Sequence, residues 1–109
     1  MSEKRIEQRS PIELAASYGM EEDLGPERAA KINNISSGGF CFASDTKLNV
    51  GEKIQLAVDL GAWKDVNMTV KVVWMSRNQE DGKYIVGVQI EEKKGPDFER
   101  FIKFYSNVA

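Results

Sequence analysis

Histidine is absent from this chain, and it has one cysteine, Cys41. Without an imidazole there is no Ser/His or Cys/His nucleophile pair, and most zinc sites lose a usual ligand. A single thiol cannot close an internal disulfide. No apolar run approaches the roughly 20 residues that span a bilayer. The N-terminus, Met-Ser-Glu-Lys-Arg-Ile-Glu-Gln-Arg, lacks the apolar centre of a secretory signal. The expectation is a cytoplasmic protein with no membrane insertion. Excess basic charge is missing too: 15 Lys and Arg stand against 17 Asp and Glu, a net charge of −2. Binders of nucleic acid polymers are usually basic, with aromatics along a basic groove. That class is set aside, and an anionic ligand has to be met by a local cluster of charge.

What is present is ordinary for one soluble globular domain. The 109 residues are 41% hydrophobic and 29% charged, enough for a single core. Period-two alternation marks the strands. Ile12, Leu14, Ala16 and Tyr18 alternate with Glu13, Ala15 and Ser17, and Pro11 suits a strand start. Gly19 to Pro26 reads as an acidic loop. Its adjacent carboxylates, Glu21, Glu22 and Asp23, rarely converge on one ion, so no metal site is expected. Arg28 to Ile35 is a strand candidate. Phe40-Cys41-Phe42-Ala43 is apolar on both faces, which predicts cover on both sides, with Cys41 as small apolar filler.

Asp45 to Glu52 reads as a connection. Ile54, Leu56, Val58 and Leu60 give the cleanest alternation. A loop from Gly61 to Asp65 follows, with Trp63 at its tip folding back over the strand ends. Val66, Met68, Val70, Val72 and Trp74 alternate next, which counts Trp74 with the core. Asn78 to Lys83 makes a hairpin turn, and Val86, Val88 and Ile90 form the last strand. Then the period changes. Phe98, Phe101, Ile102 and Tyr105 fall on one face of a helix over about 96–107. Pro96 stands at its first position, and Asp97 and Glu99 suit its dipole. Its apolar face is expected over the surface that Cys41 and Ala43 leave bare. Phe104 and Val108 lie off that stripe, either widening it or meeting a second copy. The plan is an all-β fold: a small antiparallel six-stranded β-barrel over 10–109 with a C-terminal α-helix. Residues 1–9 read as a flexible arm.

Two segments are candidates for chemistry. Between two strands, Asn34, Ser36, Ser37, Gly38 and Gly39 are small, polar or turn-forming. Such residues shape a turn or present donors and acceptors to a ligand. The glycines permit positive φ and close approach. In the arm, Arg5 and Arg9 stand four apart. A guanidinium fork pairs bidentately with phosphate or with the O6/N7 edge of guanine. Each segment also has a plain reading, as a strand connection and as a solvated tail.

Together, Arg5-x-x-x-Arg9 followed by Asn34-x-Ser36-x-x-Gly39 resembles the paired signature of PilZ domains, RxxxR and (D/N)xSxxG. Arg9-Ser-Pro-Ile-Glu-Leu14, Val70-Lys-Val-Val-Trp74 and Ile85-Val-Gly-Val-Gln-Ile90 resemble strands of that family. The resemblance covers roughly Arg5 to Ser106. It implies a six-stranded split barrel that binds the bacterial second messenger cyclic di-GMP. By that resemblance Arg5 and Arg9 grip phosphate and guanine, Asn34 and Ser36 hydrogen-bond a guanine, and Gly39 lets the ligand pass close to the chain. Trp74 matches a strand position near the ligand in some members. Ile6 stands where many members carry a second arginine, and Lys4 supplies a point charge instead.

The resulting expectation is a cyclic di-GMP receptor, neither an enzyme nor a cofactor carrier. It would act as a monomer or weak homodimer. The nucleotide would change the arm and surface, and the signal would pass to a separate effector protein in motility, pilus or exopolysaccharide control. The alternative is an interaction module of the same fold, such as a pilus-assembly adaptor, that does not bind the nucleotide.

Overall fold

The computed structural model describes residues 10–20 and 28–108. The expected acidic loop lies mostly outside them. Six strands follow in order: β1 (Ser10–Met20), β2 (Arg28–Ser36), β3 (Gly39–Ser44), β4 (Lys53–Asp59), β5 (Asp65–Arg77) and β6 (Tyr84–Ile90). They close into an antiparallel barrel in the order β1-β2-β3-β6-β5-β4, with β4 returning to β1. One helix, α1 (Pro96–Val108), follows. The expected barrel with a C-terminal helix is the fold found.

The alternation read in the sequence fills the interior. Ile54, Leu56 and Val58 of β4, with Val66, Val70 and Val72 of β5, are fully buried. Tyr18 points inward, and its hydroxyl lies 2.7 Å from Ser44 Oγ. Ser44 Oγ donates to the Thr46 carbonyl and accepts from the Thr46 N–H, so the Tyr18 hydroxyl is the donor in this buried pair.

The register shifts at three places among the described strands: in β1 between Pro11 and Leu14, which pair with Asn34 and Ile32, and in β2 and β5. In β2, Ile32 pairs with Phe42 but Asn34 pairs with Cys41, so β2 carries one extra residue. In β5, Val72 pairs with Val88 but Trp74 pairs with Gly87, so β5 carries one extra residue too. An extra residue turns every later side chain to the opposite face. Ile32 and Ile35, three apart, are therefore both in the core, and Asn34 faces out. Val72 and Met75 likewise both pack inward. Trp74, expected in the core from its parity with Val72, is turned outward and is 37% exposed.

The helix also departs from expectation. It packs on β5 and on the barrel end where Phe40 sits, rather than over Cys41 and Ala43. The Phe101 ring lies 4.9 Å from that of Phe40. Phe104 is buried and meets the edge of Trp63 at 6.3 Å, so it widens the packing face. Two polar ties fix the helix along β5. The Asp97 carboxylate accepts from the Asn67 N–H at 2.7 Å, and Arg100 Nη1 donates to the Asp65 carbonyl at 2.8 Å. Large aromatic rings need a deep seat, and the open barrel end offers one where the outer sheet surface does not.

Phe101 is fully buried at that seat. Phe101→Ala is expected to cost about 3–5 kcal/mol of stability. Val50→Ala, at a residue 64% exposed, should stay within about 0.5 kcal/mol. Equal urea midpoints for the two variants would show that α1 does not hold the barrel end.

Candidate functional site

The bulges align residues from five strands in one row. Pro11 of β1 pairs with Asn34, Asn34 with Cys41, Cys41 with Gly87, and Gly87 with Trp74. Two residues along, Ser36 pairs with Gly39, Gly39 with Gln89, and Gln89 with Lys71. From Asn34 to Trp74 and from Ser36 to Lys71 the two rows lie on the outside of the barrel, by the alternation of their buried neighbours Ile35, Phe40, Val88 and Val72. Between them runs a groove of about 220 Å³. Asn34, Ser36, Gly38 and Gly39 line one side; Val73, Trp74, Gly87 and Gln89 line the other.

A groove can exist there because two positions lack side chains. A Cβ at Gly39 would overlap the Val88 carbonyl oxygen and lie 3.3 Å from Gln89 Cα. A Cβ at Gly87 would overlap Nε1 and Cε2 of the Trp74 indole. The indole therefore lies directly over Gly87, and an aromatic ring seated on backbone forms part of the groove wall. Gly39 is not in the left-handed region. The freedom of φ expected for this glycine is not what the fold uses; the close approach of β6 is.

The polar side of the groove is built by the β2–β3 hairpin. Ser36 and Gly39 pair, leaving Ser37 and Gly38 as the turn. Ser36 is buried, and its hydroxyl accepts from the Gly38 N–H at 3.3 Å. Its contact with the Gly39 carbonyl, at 3.5 Å, is long for a hydrogen bond. Asn34 is half-buried, and its amide nitrogen reaches the Asn33 side chain at a weak 3.4 Å. Asn34 thus keeps donor and acceptor capacity facing the groove.

Of the residues singled out in the sequence, Asn34, Ser36, Gly39 and Trp74 come together here. Lys4, Arg5 and Arg9 lie outside the described residues. β1 nonetheless begins beside the groove, with Ser10 opposite Ile35 and Pro11 opposite Asn34. Among the described residues no group of acidic, histidine or cysteine side chains is placed to hold a metal. Nor is any helix among them long and apolar enough to cross a membrane.

A family model for the PilZ domain matches residues 2–106. The chain belongs to the PilZ domain family. Solved structures carry the same fold at low identity. The PilZ domain of YcgR from Escherichia coli, determined with c-di-GMP, superposes with a TM-score of 0.75 at 13% identity, covering 97% of this chain and 92% of that one. The K. pneumonia MrkH–c-di-GMP complex gives 0.78 at 16%, covering 97% and 52%. The Bacillus subtilis inhibitor of motility, MotI/DgrA, gives 0.75 at 16%, covering 97% and 51%. This chain thus spans about half the length of MrkH and MotI. At such identities the likeness speaks for the fold alone. A comparison with curated proteins found no match.

Within this PilZ domain, Gly87 and Gln89 are groove residues that reading the sequence for function missed. Gly87 had a usable signal: a lone glycine inside an otherwise β-branched strand marks a close approach. Gln89 had none, since an exposed glutamine on a strand is unremarkable by type. The indole's seat predicts the behaviour of Gly87→Ala. The new methyl should lift Trp74 out of the groove, at a cost of about 1–3 kcal/mol from overpacking. The Trp74 indole N–H resonance should move while that of Trp63 stays. An unmoved Trp74 signal would mean that the ring does not rest on residue 87.

Proposed function

We propose that this PilZ domain is a receptor for cyclic di-GMP, with the outer groove as its seat. The observation that carries this is one of assembly. Asn34, Ser36 and Gly39 of the β2–β3 hairpin meet Trp74, distant in sequence, in one groove, and β1 begins beside it directly after Arg9. The relatives YcgR and MrkH, in the structures described above, hold c-di-GMP. The ligand offers two guanines and two phosphates, and the groove offers a partner for each kind of group. Asn34 and Ser36 take base-edge hydrogen bonds. The Trp74 face stacks a base, a contact worth about 1–3 kcal/mol. The bare backbone at Gly39 and Gly87 admits the ring system. Arg5 and Arg9 supply the cationic forks for phosphate and for the guanine O6/N7 edge, with Lys4 adding a point charge.

In this reading the domain has no catalytic group and acts by binding. The nucleotide links the Arg5–Arg9 segment to the barrel wall, and a separate effector protein reads the altered surface. The processes that fit are control of motility, pili or exopolysaccharide.

Calorimetric titration with cyclic di-GMP tests this and gives the stoichiometry. Arg9→Ala should lose charge-assisted bonds worth about 1.5–3 kcal/mol, a weakening of roughly 10- to 150-fold. Lys53→Ala, at a lysine paired with Glu91 that does not line the groove, should bind as the parent does. Equal affinities for the two variants would remove the arm from the site. No heat at millimolar nucleotide would favour an adaptor that uses the fold without the ligand.

A further inference from the structure

A second surface stands apart from the groove. After β4 a short 3-10 turn, Gly61–Trp63, leads into Lys64. Trp63 and Lys64 face Glu99, Arg100 and Lys103 of α1 across an open cleft of about 420 Å³. Lys64, Arg100 and Lys103 line it with Glu99, and Asp97 stands 3.9 Å from Arg100, so three cations face two carboxylates in a chain whose net charge is −2. Arg100 is held in place by the Asp65 carbonyl at 2.8 Å and by Asp97 at 3.9 Å. Lys64 and Lys103 are exposed and have no ion-pair partner among the described residues.

Lys64 is also the one non-glycine among the described residues with positive φ, at 72°. With ψ at 174°, this is a conformation that glycine adopts freely and a side chain strains. Glycine would make the same turn without that strain. What lysine adds is an ammonium group next to Trp63. The Trp63 ring is held edge-on by Phe104 at 79° and stays 37% exposed. A ring braced from one side and reachable from the other loses little entropy on contact, and Trp and Arg are the residues that dominate protein interfaces.

We propose that this cleft docks an acidic segment of a partner protein. Carboxylates of the segment pair with Lys64 and Lys103, and an apolar side chain packs on Trp63. Charge complementarity selects this occupant. A phosphate ligand fits less well, because the Arg100 fork is already engaged and Glu99 stands in the cleft. The cleft shares no lining residue with the groove, yet α1 lines the cleft and touches one residue of the groove. Its Phe101 packs at a tilt of 52° against Phe40, which lines the groove, while Arg100 and Lys103 line the cleft. The proposal goes beyond nucleotide binding and stands without it.

The probe is a short synthetic peptide of Glu and Asp with a central Leu-Phe pair, titrated into the full chain and followed by amide and indole resonances. Saturable shifts are expected at 61–64 and 96–103, with the Trp63 indole N–H moving and Trp74 still. Raising the salt from about 50 mM to about 500 mM should weaken binding strongly. The double variant K64E/K103E, exposed at both sites, should keep the parent fold. It should lose at least about tenfold in affinity and should instead bind the peptide with Lys in place of Glu and Asp. No saturable shift at millimolar acidic peptide would overturn the proposal. So would shifts confined to the groove, unchanged affinity in the double variant, or stronger shifts of the same residues by cyclic di-GMP or by anionic lipid vesicles.

Discussion

A strand has two faces and a period of two, so an extra residue in a barrel strand exchanges inside for outside from that point on. This barrel slips register in β1, β2 and β5, and the slips in β2 and β5 set the groove residues. Asn34 and Trp74 are both turned outward there, and the two strands between them contribute Cys41 and Gly87. Had β2 and β5 run without interruption, Asn34 would have pointed into the core as an amide seeking partners. Trp74 would have pointed into the interior beside Val72, and Met75 would have faced out. The groove follows from the two slips, and the core stays apolar because Ile35 and Met75 take the vacated inward positions.

Depth comes from what the strands between omit. Gly39 is required by the Val88 carbonyl and Gly87 by the Trp74 ring. These are steric demands of different origin: one sets strands β3 and β6 close together, the other seats a side chain. Neither uses the left-handed backbone that glycine alone tolerates. Ser36 serves the hairpin as much as any ligand, since its hydroxyl accepts from the Gly38 N–H. The (D/N)xSxxG pattern thus reads as one local unit in which the first residue faces out, the serine braces the turn and the glycine clears the floor.

Much of this was legible beforehand. The alternations in β4, β5 and β6 mapped onto buried residues, and the Phe98–Tyr105 stripe became the packed face of α1. The bulges were not legible, because an extra residue shows only against a partner strand. Val72-Val73-Trp74 keeps an apolar residue at every position, so either parity fits. The seat of α1 was hidden for a related reason. Phe40, Cys41 and Phe42 are all buried, but the pattern could not say that the helix meets Phe40 and leaves the Cys41–Ala43 face to other cover. The motif found Asn34, Ser36 and Gly39 as a group, and left Gly87 and Gln89 unmarked. Arg5, Arg9 and Lys4, with most of the acidic loop, fall outside the described residues.

Phe40 belongs to two neighbourhoods at once, as part of the groove wall and as the ring on which Phe101 rests. Free energy is a state function, so such sharing is reciprocal. Whatever firms the wall at Phe40 raises the work of peeling α1 from the barrel end, and whatever loosens α1 softens the wall by the same amount.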